Sequence, residues 1–281
     1  MSLTFTEHYP EVDGALSLRI RNILVDRQSP FQNVKVVEST RFGRVLLIDY
    51  LVMLTDRDEF VYHEMIAHVP LFTHPDPRRV LVIGGGDGGT VRECLRHPSV
   101  EHVDLVDIDR VVTEVCLEYF PDIAAKLLSE RVTCRFQDGV RFVKECRERY
   151  DVIIIDSTDP VSVGEGLFTG EFYRDCYNLL EADGLLVAQS ESPSWLPKLV
   201  RRIHGKLTDI FPRVRFYQAF IPTYPSGHWT FCLASRRHDP VDGFQSDRYA
   251  ELGLSFRYYN DGIHRAAFAL PTFFQELIDE V

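Results

Sequence analysis

Residues 79–89 read RVLVIGGGDGG, an apolar run that ends in a glycine-rich loop. A continuous apolar run is typical of a strand that is buried on both faces of a parallel sheet. Gly84, Gly86 and Gly89 form the pattern G-x-G-x-x-G, and glycines at these positions let a ligand approach the backbone closely. The stretch therefore predicts a strand, a ligand-binding loop and the start of a helix.

Strands and helices are predicted to alternate after this loop. Four further apolar runs each predict a strand, at residues 103–106, 132–136, 152–155 and 185–188. Helical stretches are predicted near residues 89–97, 109–119, 139–148 and 170–181. Such alternation predicts an α/β fold with a mostly parallel sheet, whose ligands bind at the carboxyl ends of the strands.

The first 60 residues have a different pattern. Apolar and polar residues alternate at 15–20, 33–36 and 44–48, with turn-forming residues between these runs. This predicts a small antiparallel β unit. We therefore expect an N-terminal β domain over residues 1–65 and a Rossmann-like domain over residues 66–281.

A helix is expected to join the two units. Apolar side chains recur at helical spacing from Phe60 to Val69. Asp56 or Asp58 is a candidate cap for the start of this helix, and Pro70 is expected to end it.

Composition excludes several classes of function. The 281 residues include 31 Lys+Arg and 42 Asp+Glu, which gives a formal net charge of −11 and disfavours nucleic-acid binding. The six cysteines form no C-x-x-C pair, so reduced thiols are expected. We find neither a signal peptide nor an apolar run of the roughly 18 to 20 residues that span a bilayer. A cytoplasmic location without a membrane partner is therefore expected.

Asp87 distinguishes between the ligands that a glycine loop can bind. A dinucleotide pyrophosphate needs amide donors at this position, and a carboxylate facing it would repel its two negative charges. Asp87 therefore favours a ligand that carries an ammonium or a sulfonium group.

Acidic residues also follow the next two predicted strands. Asp107 is placed to accept hydrogen bonds from both hydroxyls of a ribose, and Asp138, which precedes Gly139, is placed to bind an adenine amine. Each of these acids has an alternative role as a helix cap, and for Asp109 that role is the expected one. With the glycine loop, the series predicts an adenosine pocket of the S-adenosylmethionine type.

Two carboxylates, Asp156 and Asp159, follow the strand at 152–155. A primary amine is protonated at neutral pH and becomes a nucleophile only after it loses a proton. One carboxylate can take that proton, and a second can hold the far ammonium of a diamine. The pair therefore predicts alkyl transfer to nitrogen.

At this point the sequence resembles the spermidine synthase family, the polyamine aminopropyltransferases. The resemblance extends from about residue 15 to residue 275. It rests on five motifs: DEFVYHEM at 58–65, GGGDGG at 84–89, DSTDP at 156–160, IPTYPSG at 221–227, and YYN with IHRAAF between 258 and 268.

The resemblance implies a Rossmann-like S-adenosylmethionine-dependent-transferase fold and a reaction. Decarboxylated S-adenosylmethionine would give its aminopropyl group to putrescine, forming spermidine and methylthioadenosine. Family members form homodimers or homotetramers. Because the sulfonium leaves as a neutral thioether, no metal ion is needed, and we expect no prosthetic group.

The resemblance also implies roles for individual residues. Asp156 would be the catalytic base. The diamine would be bound by Tyr62, Asp156, Asp159 and Tyr224. The donor would be bound by Gln32, His63, Gly84, Gly86, Asp87, Asp107, Asp138 and Gly139.

The chain departs from the family pattern at a few positions. Ser162 and Val163 stand where many members have Gly-Pro, and Tyr50 and Met53 replace a glycine and a frequent glutamine. These changes concern the loop over the diamine and the edge of the donor pocket. Glu191, after the last predicted strand, is a candidate for the distal ammonium, and a plain surface role is an equal alternative.

Other readings stay open. The acceptor could be agmatine, cadaverine or spermidine rather than putrescine. An ordinary methyltransferase or a non-catalytic polyamine-binding protein are further alternatives. A zinc helix is disfavoured because His63 and His68 are five residues apart and do not share a helix face. We expect His264 to be a structural histidine.

Overall fold

The computed structural model describes residues 3–158 and 162–279, with backbone alone at residues 162 and 163. The first unit is a five-stranded sheet whose neighbours are all antiparallel, as expected. Val36 and Val37 point to opposite faces, and both are buried because each face packs against a different apolar cluster. The strands are β1 (Leu3–Tyr9), β2 (Gly14–Gln28), β3 (Asn33–Ser39), β4 (Arg44–Ile48) and β5 (Leu51–Thr55).

Helix α1 (Glu59–Thr73) follows the first sheet, and all but one of its side chains are buried. The expectation that Pro70 ends this helix is wrong, because the helix continues for another turn and the His74 N–H bonds to the Pro70 carbonyl at 2.9 Å. The proline removes one backbone donor, but Leu71 and Phe72 are fully buried beyond it. Burial of these neighbours outweighs the lost hydrogen bond.

The start of α1 also differs from the expectation. Neither candidate aspartate caps the helix with its side chain. Asp56 bonds instead to Arg44, and Asp58 accepts hydrogen bonds from Thr55 and Thr223. The carboxylates are used for tertiary contacts between distant segments rather than for the helix end.

The second sheet has seven strands in the order β11-β12-β10-β9-β6-β7-β8. The five strands from β6 to β10 are parallel, and β12 and β11 extend the sheet in antiparallel pairs. The predicted mostly parallel sheet is confirmed. Its strands are β6 (Arg79–Gly84), β7 (His102–Asp107), β8 (Val132–Phe136), β9 (Tyr150–Asp156), β10 (Leu180–Gln189), β11 (Arg213–Phe220) and β12 (His228–Ser235).

Helices cover both faces of this sheet and complete the Rossmann-like architecture. One apolar cluster joins the first sheet, α1 and one face of the second sheet, and another lies between the opposite face and helices α6 and α7. Within the described ranges the further helices are α2 (Gly89–Cys94), α3 (Arg110–Tyr119), α4 (Pro121–Ala124), α5 (Gly139–Glu145), α6 (Gly170–Leu179), α7 (Pro197–Thr208), α8 (Ser246–Leu252), α9 (Asp261–Ala266) and α10 (Thr272–Asp279).

The order of the parallel strands reverses between β6 and β9, which places a crevice at their carboxyl ends. Gly84 pairs with Asp156 in the register of these two strands, and Asp107 ends the neighbouring strand β7. The glycine loop and two of the candidate acids are therefore brought to one edge of the sheet.

All six cysteines are free thiols, as the sequence predicts. Among the helices of residues 3–158 and 162–279, none combines the length and apolar character needed to cross a lipid bilayer.

Candidate active site

A cavity opens at the crevice between β6 and β9 and is closed on its other side by α1 and the first sheet. Every candidate site residue that the structure describes lines it: Gln32, Tyr62, His63, Gly84, Gly86, Asp87, Asp107, Asp138, Gly139, Asp156 and Tyr224. Asp159, the remaining candidate, lies outside the described residues.

The glycines of the loop are required by close approaches of the backbone to acidic residues. Gly84 has φ +81°, and a Cβ there would lie 2.1 Å from the carbonyl oxygen of Asp156. A Cβ on Gly86 would lie 2.7 Å from Oδ2 of Asp107, which accepts the Gly86 N–H at 3.0 Å. Glycine therefore allows the loop to pack directly between the two strand ends that carry Asp107 and Asp156.

Asp156 lies at the end of β9, is 9% exposed, and has each carboxylate oxygen held by a hydroxyl group. Tyr62 donates to Oδ1 and Thr90 donates to Oδ2, both at 2.6 Å. Burial raises the pKa of Asp156, and repulsion from Asp87 adds to this, while His63 and the two hydroxyl groups act in the opposite direction. The site thus holds a buried carboxylate of raised basicity in a fixed orientation.

Asp87 and His63 form an ion pair at the opening of the glycine loop. His63 Nε2 lies 3.3 Å from Asp87 Oδ1, and His63 Nδ1 lies 2.7 Å from Glu59 Oε2. Burial alone would lower the pKa of His63, but the two carboxylates raise it to about 10. Burial alone would raise the pKa of Asp87, but His63 and the Gly89 N–H lower it. His63 is therefore an imidazolium and Asp87 a carboxylate at neutral pH.

The ion pair extends into a buried network behind α1. Glu59 also accepts from Arg92 at 2.8 Å, and Arg92 donates to Glu93 at 2.8 Å. Glu93 in turn contacts His68 at 2.9 Å. This alternation of charges satisfies the buried groups that hold His63 in place.

Asp107 is anchored by two backbone donors at the end of β7. Its Oδ2 accepts from Gly86 and its Oδ1 accepts from the Asp109 N–H at 2.7 Å. Burial raises the pKa of Asp107 to about 6, and Asp109 and Asp87 add to the rise. Asp109 caps α3 through the Val111 N–H, so the expected role of Asp109 is confirmed.

Gln32 is positioned by a link between the two units of the chain. Ser29 donates a 2.6 Å hydrogen bond to Asp109 Oδ2, and the Ser29 oxygen accepts the N–H of Gln32 at 3.0 Å. Asp138 caps α5 through the Val140 N–H at 2.8 Å and also lines the cavity. The cap and the pocket roles of Asp138 are therefore compatible.

Tyr224 lies on the loop between β11 and β12, opposite Tyr62. The two rings are 5.8 Å apart, and the Tyr224 hydroxyl donates to the Met53 carbonyl at 2.5 Å. Asp58 holds the same loop, because its Oδ2 accepts the N–H and the hydroxyl of Thr223 at 3.2 and 2.8 Å. The loop is thus tied to both β5 and the start of α1.

The departures from the family pattern have different consequences. Met53 lines the cavity, whereas Tyr50 is 59% exposed, has φ +67° and lies under the Lys35 ammonium group. Of these two departures, Met53 is the one that contributes to the lining of the cavity, and Tyr50 does not. The side chains of Ser162 and Val163 lie outside the described residues.

Several polar residues of the site were not predicted from the sequence. Glu7 on β1 and Gln189 at the end of β10 line the cavity, and Thr90 holds Asp156 from behind. Of these, Gln189 could have been predicted from the sequence, because it ends strand β10 and ligands meet the carboxyl ends of parallel strands. The proposed surface role of Glu191 is wrong because Glu191 is fully buried, with its backbone N–H bonded to the Gln189 side chain.

His63, Asp87 and Asp156 present oxygen and nitrogen atoms within 4.8 Å of one another, a spacing that suits a metal ion. We do not assign them as metal ligands. Both ring nitrogens of His63 already contact carboxylates, those of Glu59 and Asp87, and both oxygens of Asp156 accept hydroxyl hydrogen bonds. His264 is buried and bonds to the Tyr259 hydroxyl and the Pro240 carbonyl, as expected for a structural histidine.

The fold and the cavity define the class: a Rossmann-like transferase domain joined to a small antiparallel β domain. Residues 59–242 match the family model of the spermine/spermidine synthase domain, and residues 3–56 match that of the spermidine synthase tetramerisation domain. The chain belongs to the spermine/spermidine synthase family, and it is an aminopropyltransferase of polyamine biosynthesis.

Curated relatives and solved structures agree with this assignment. The polyamine aminopropyltransferase of Alkaliphilus oremlandii is 46% identical over 100% of this chain and 99% of its own length, and that of Clostridium beijerinckii is 44% identical over 99% of both. A spermidine synthase crystallised with the transition-state analogue AdoDATO superposes with a TM-score of 0.97, at 37% identity over 99% of this chain and 96% of that chain. The spermidine synthase of Thermotoga maritima gives a TM-score of 0.95, at 37% identity over 99% of this chain and 95% of that chain.

Proposed function

We propose that the enzyme transfers the aminopropyl group of decarboxylated S-adenosylmethionine to putrescine, producing spermidine and methylthioadenosine. The observation that carries this proposal is the presence of two carboxylates, Asp87 and Asp156, in one cavity. A donor whose side arm ends in an ammonium is attracted by Asp87, whereas the carboxylate of S-adenosylmethionine would be repelled by it.

Asp87 retains capacity for this ammonium although it is paired with His63. The contacts of Asp87 to His63 and to the Gly89 N–H both fall on Oδ1. We assign Oδ2 to the donor's ammonium. The low pKa of Asp87 keeps the carboxylate charged for this contact.

The other donor contacts follow the order of the strand ends. Asp107 would accept from the ribose hydroxyls, and Asp138 with Gly139 would hold the adenine. Gly84 and Gly86 would let the donor lie against the backbone, and Gln32 and His63 would close over it. Support comes from their shared position in the cavity between β6, β7 and the first sheet.

Asp156 would accept the proton that the attacking amine must lose. The nitrogen lone pair forms a bond to the carbon next to the sulfonium, the carbon–sulfur bond breaks, and its electron pair stays on sulfur as a neutral thioether. The raised pKa of Asp156 suits a base that must take a proton from an ammonium.

Tyr62 and Tyr224, whose rings contact each other and line the cavity beside Asp156, would position the diamine. Glu7 and Gln189 lie in the same cavity and supply polar oxygens for the far ammonium. Asp159 is proposed for this ammonium from the family resemblance alone.

One mass-spectrometric assay separates the candidate functions. Each donor, decarboxylated or intact S-adenosylmethionine, is offered with putrescine, cadaverine, agmatine or spermidine. We expect methylthioadenosine and spermidine from the decarboxylated donor and putrescine. S-adenosylhomocysteine would indicate a methyltransferase, and no product from either donor would indicate a binding protein. If another amine reacts faster than putrescine, that amine is the preferred acceptor and the proposal of putrescine is wrong.

We further propose that the enzyme is a cytoplasmic homodimer or homotetramer with a domain boundary near residue 65. The match of residues 3–56 to the tetramerisation domain supports assembly through the first sheet. Sedimentation of the purified protein at several concentrations distinguishes the two assemblies.

A further inference from the structure

We propose that Thr90 is a positioning residue, whose hydroxyl group fixes Oδ2 of Asp156 and favours the ionised carboxylate. This inference rests on the proposed role of Asp156 as the base. It adds a residue to the site, because Thr90 does not line the cavity and has no contact with either substrate in the proposal above.

The geometry gives Thr90 one hydrogen-bond partner at the active site. Thr90 is in the first turn of α2, directly after the glycine loop, and it is completely buried. Its Oγ1 lies 2.6 Å from Asp156 Oδ2, while the Tyr62 hydroxyl lies 2.6 Å from Oδ1. Two hydroxyl groups from two different helices therefore fix the plane of one carboxylate.

A carboxylate that takes a proton must first be ionised, and the surroundings of Asp156 oppose ionisation. It is 9% exposed, and Asp87 adds a second negative charge from the glycine loop. His63 on α1 is the cation facing Asp156, and it is already paired with Asp87 and Glu59. Cys94 on α2 stays a neutral thiol because burial raises its pKa.

The hydroxyl groups of Tyr62 and Thr90 stabilise the negative charge of Asp156 in this environment. A hydroxyl group that donates to a carboxylate stabilises the charged form more than the protonated form. Burial raises the pKa of Tyr62 well above its ordinary value, so its phenol also remains a donor. Thr90 can be replaced without changing a proposed contact to the diamine, because Thr90 does not line the cavity and Tyr62 does.

The test compares Thr90→Val with Thr90→Ser, since valine keeps the shape and loses the donor while serine keeps the donor. The ionisation of Asp156 is followed directly by infrared titration of the substrate-free enzyme, with Asp156→Asn used to identify the carboxyl band. We expect Thr90→Val to titrate at higher pH than the wild type and Thr90→Ser to match the wild type.

The rate should follow the same pattern. Below the midpoint of the acid limb, Thr90→Val should be about tenfold slower than the wild type, and the two should converge at higher pH. If Thr90→Val folds poorly, Thr90→Cys supplies a weaker donor and should lie between serine and valine.

Two results would overturn the inference: an unchanged Asp156 titration in Thr90→Val, or a rate loss of equal size at every pH. A different result would show that Asp156 is not the base. In that case Asp156→Asn keeps its turnover, while the infrared comparison of the Thr90 variants still reports on the hydrogen bond itself.

Discussion

The hydroxyl group of Tyr62 donates a 2.6 Å hydrogen bond to Oδ1 of Asp156, across 94 residues of sequence. Tyr62 is on α1 and Asp156 is at the end of β9. The bond joins the proposed base to the helix that forms the opposite wall of the cavity, and this wall also carries His63. The bond thereby fixes the position of the proposed base relative to the helix that carries Tyr62 and His63.

Replacing Tyr62 with phenylalanine should lower turnover by about tenfold or more, because a buried carboxylate loses a charge-stabilising donor. The measurement is kcat with both substrates saturating. Tyr217→Phe is the matched control: its hydroxyl is buried and bonds to the Met65 carbonyl at 3.0 Å, outside the cavity. Equal turnover in Tyr62→Phe and the control would show that the Tyr62 hydroxyl does not contribute to catalysis.

His63 should titrate near pH 10 in the native enzyme, since Glu59 and Asp87 both stabilise its charged form. Glu59→Gln should lower this pKa, and the titration can be followed by NMR of the imidazole ring. Glu114→Gln, on the exposed side of α3, is the control and should leave the titration unchanged. A His63 that titrates at its ordinary value in the wild type would contradict the ion pair.

The same pKa has a consequence for stability. Because the pKa of His63 is raised above its ordinary value of 6.5, its stabilising contribution is complete below that pH and is lost as pH rises through about 10. Urea unfolding should therefore show a loss of stability between these values in the wild type. The loss should be smaller in Glu59→Gln, and an equal loss in both would contradict the assignment.

Methylthioadenosine should bind more tightly as pH rises through about 6. Burial raises the pKa of Asp107 to that value, and in the proposed site the ionised carboxylate accepts the ribose hydroxyls. The affinity should rise about tenfold from pH 5 to pH 7.5, following the ionised fraction of one acid. This ligand lacks the aminopropyl ammonium, so Asp87 does not obscure the result. In calorimetric titrations, Asp107→Asn should bind this ligand more weakly and with an affinity that does not change with pH. If the affinity of the wild type does not change with pH, the proposed ribose contact is wrong.

Thr223→Val should raise the KM for the amine and leave methylthioadenosine affinity unchanged. The change removes a 2.8 Å hydrogen bond to the buried Asp58 and loosens the loop that positions Tyr224. The stability lost should be about 1 to 3 kcal/mol. Thr208→Val, at an exposed hydroxyl on α7, serves as control. A parallel loss of nucleoside affinity would mean that the loop does not act on the amine alone.

Much of the fold could be predicted because local pattern and tertiary structure agree in the parallel sheet. The apolar runs became strands, which are largely buried except for the edge strand β8. The rule that ligands meet the carboxyl ends of such strands brought Asp107 and Asp156 together. The rule also covers Gln189. It depends only on strand direction, which the alternation of strands and helices determines.

The errors concern residues whose partners are distant in sequence. Pro70 lies in a helix because the helix is buried, and Asp58 bonds to Thr223 rather than capping that helix. Thr90 looks like an ordinary residue of a first turn, and Glu7 like an ordinary residue of an exposed strand. Thr90 meets Asp156 within the second unit, and Glu7 accepts the N–H of Val52 within the first sheet. Each contact joins residues that are far apart in sequence, and no local pattern encodes it.

The central claim is that Asp156 is the base of an aminopropyl transfer. Its most direct test is the rate of methylthioadenosine release by Asp156→Asn, with decarboxylated S-adenosylmethionine and putrescine both saturating. Asparagine keeps the size of the side chain but cannot take a proton. We predict a rate about a hundredfold or more below that of the wild type, with the fold intact. A rate close to that of the wild type would contradict the account.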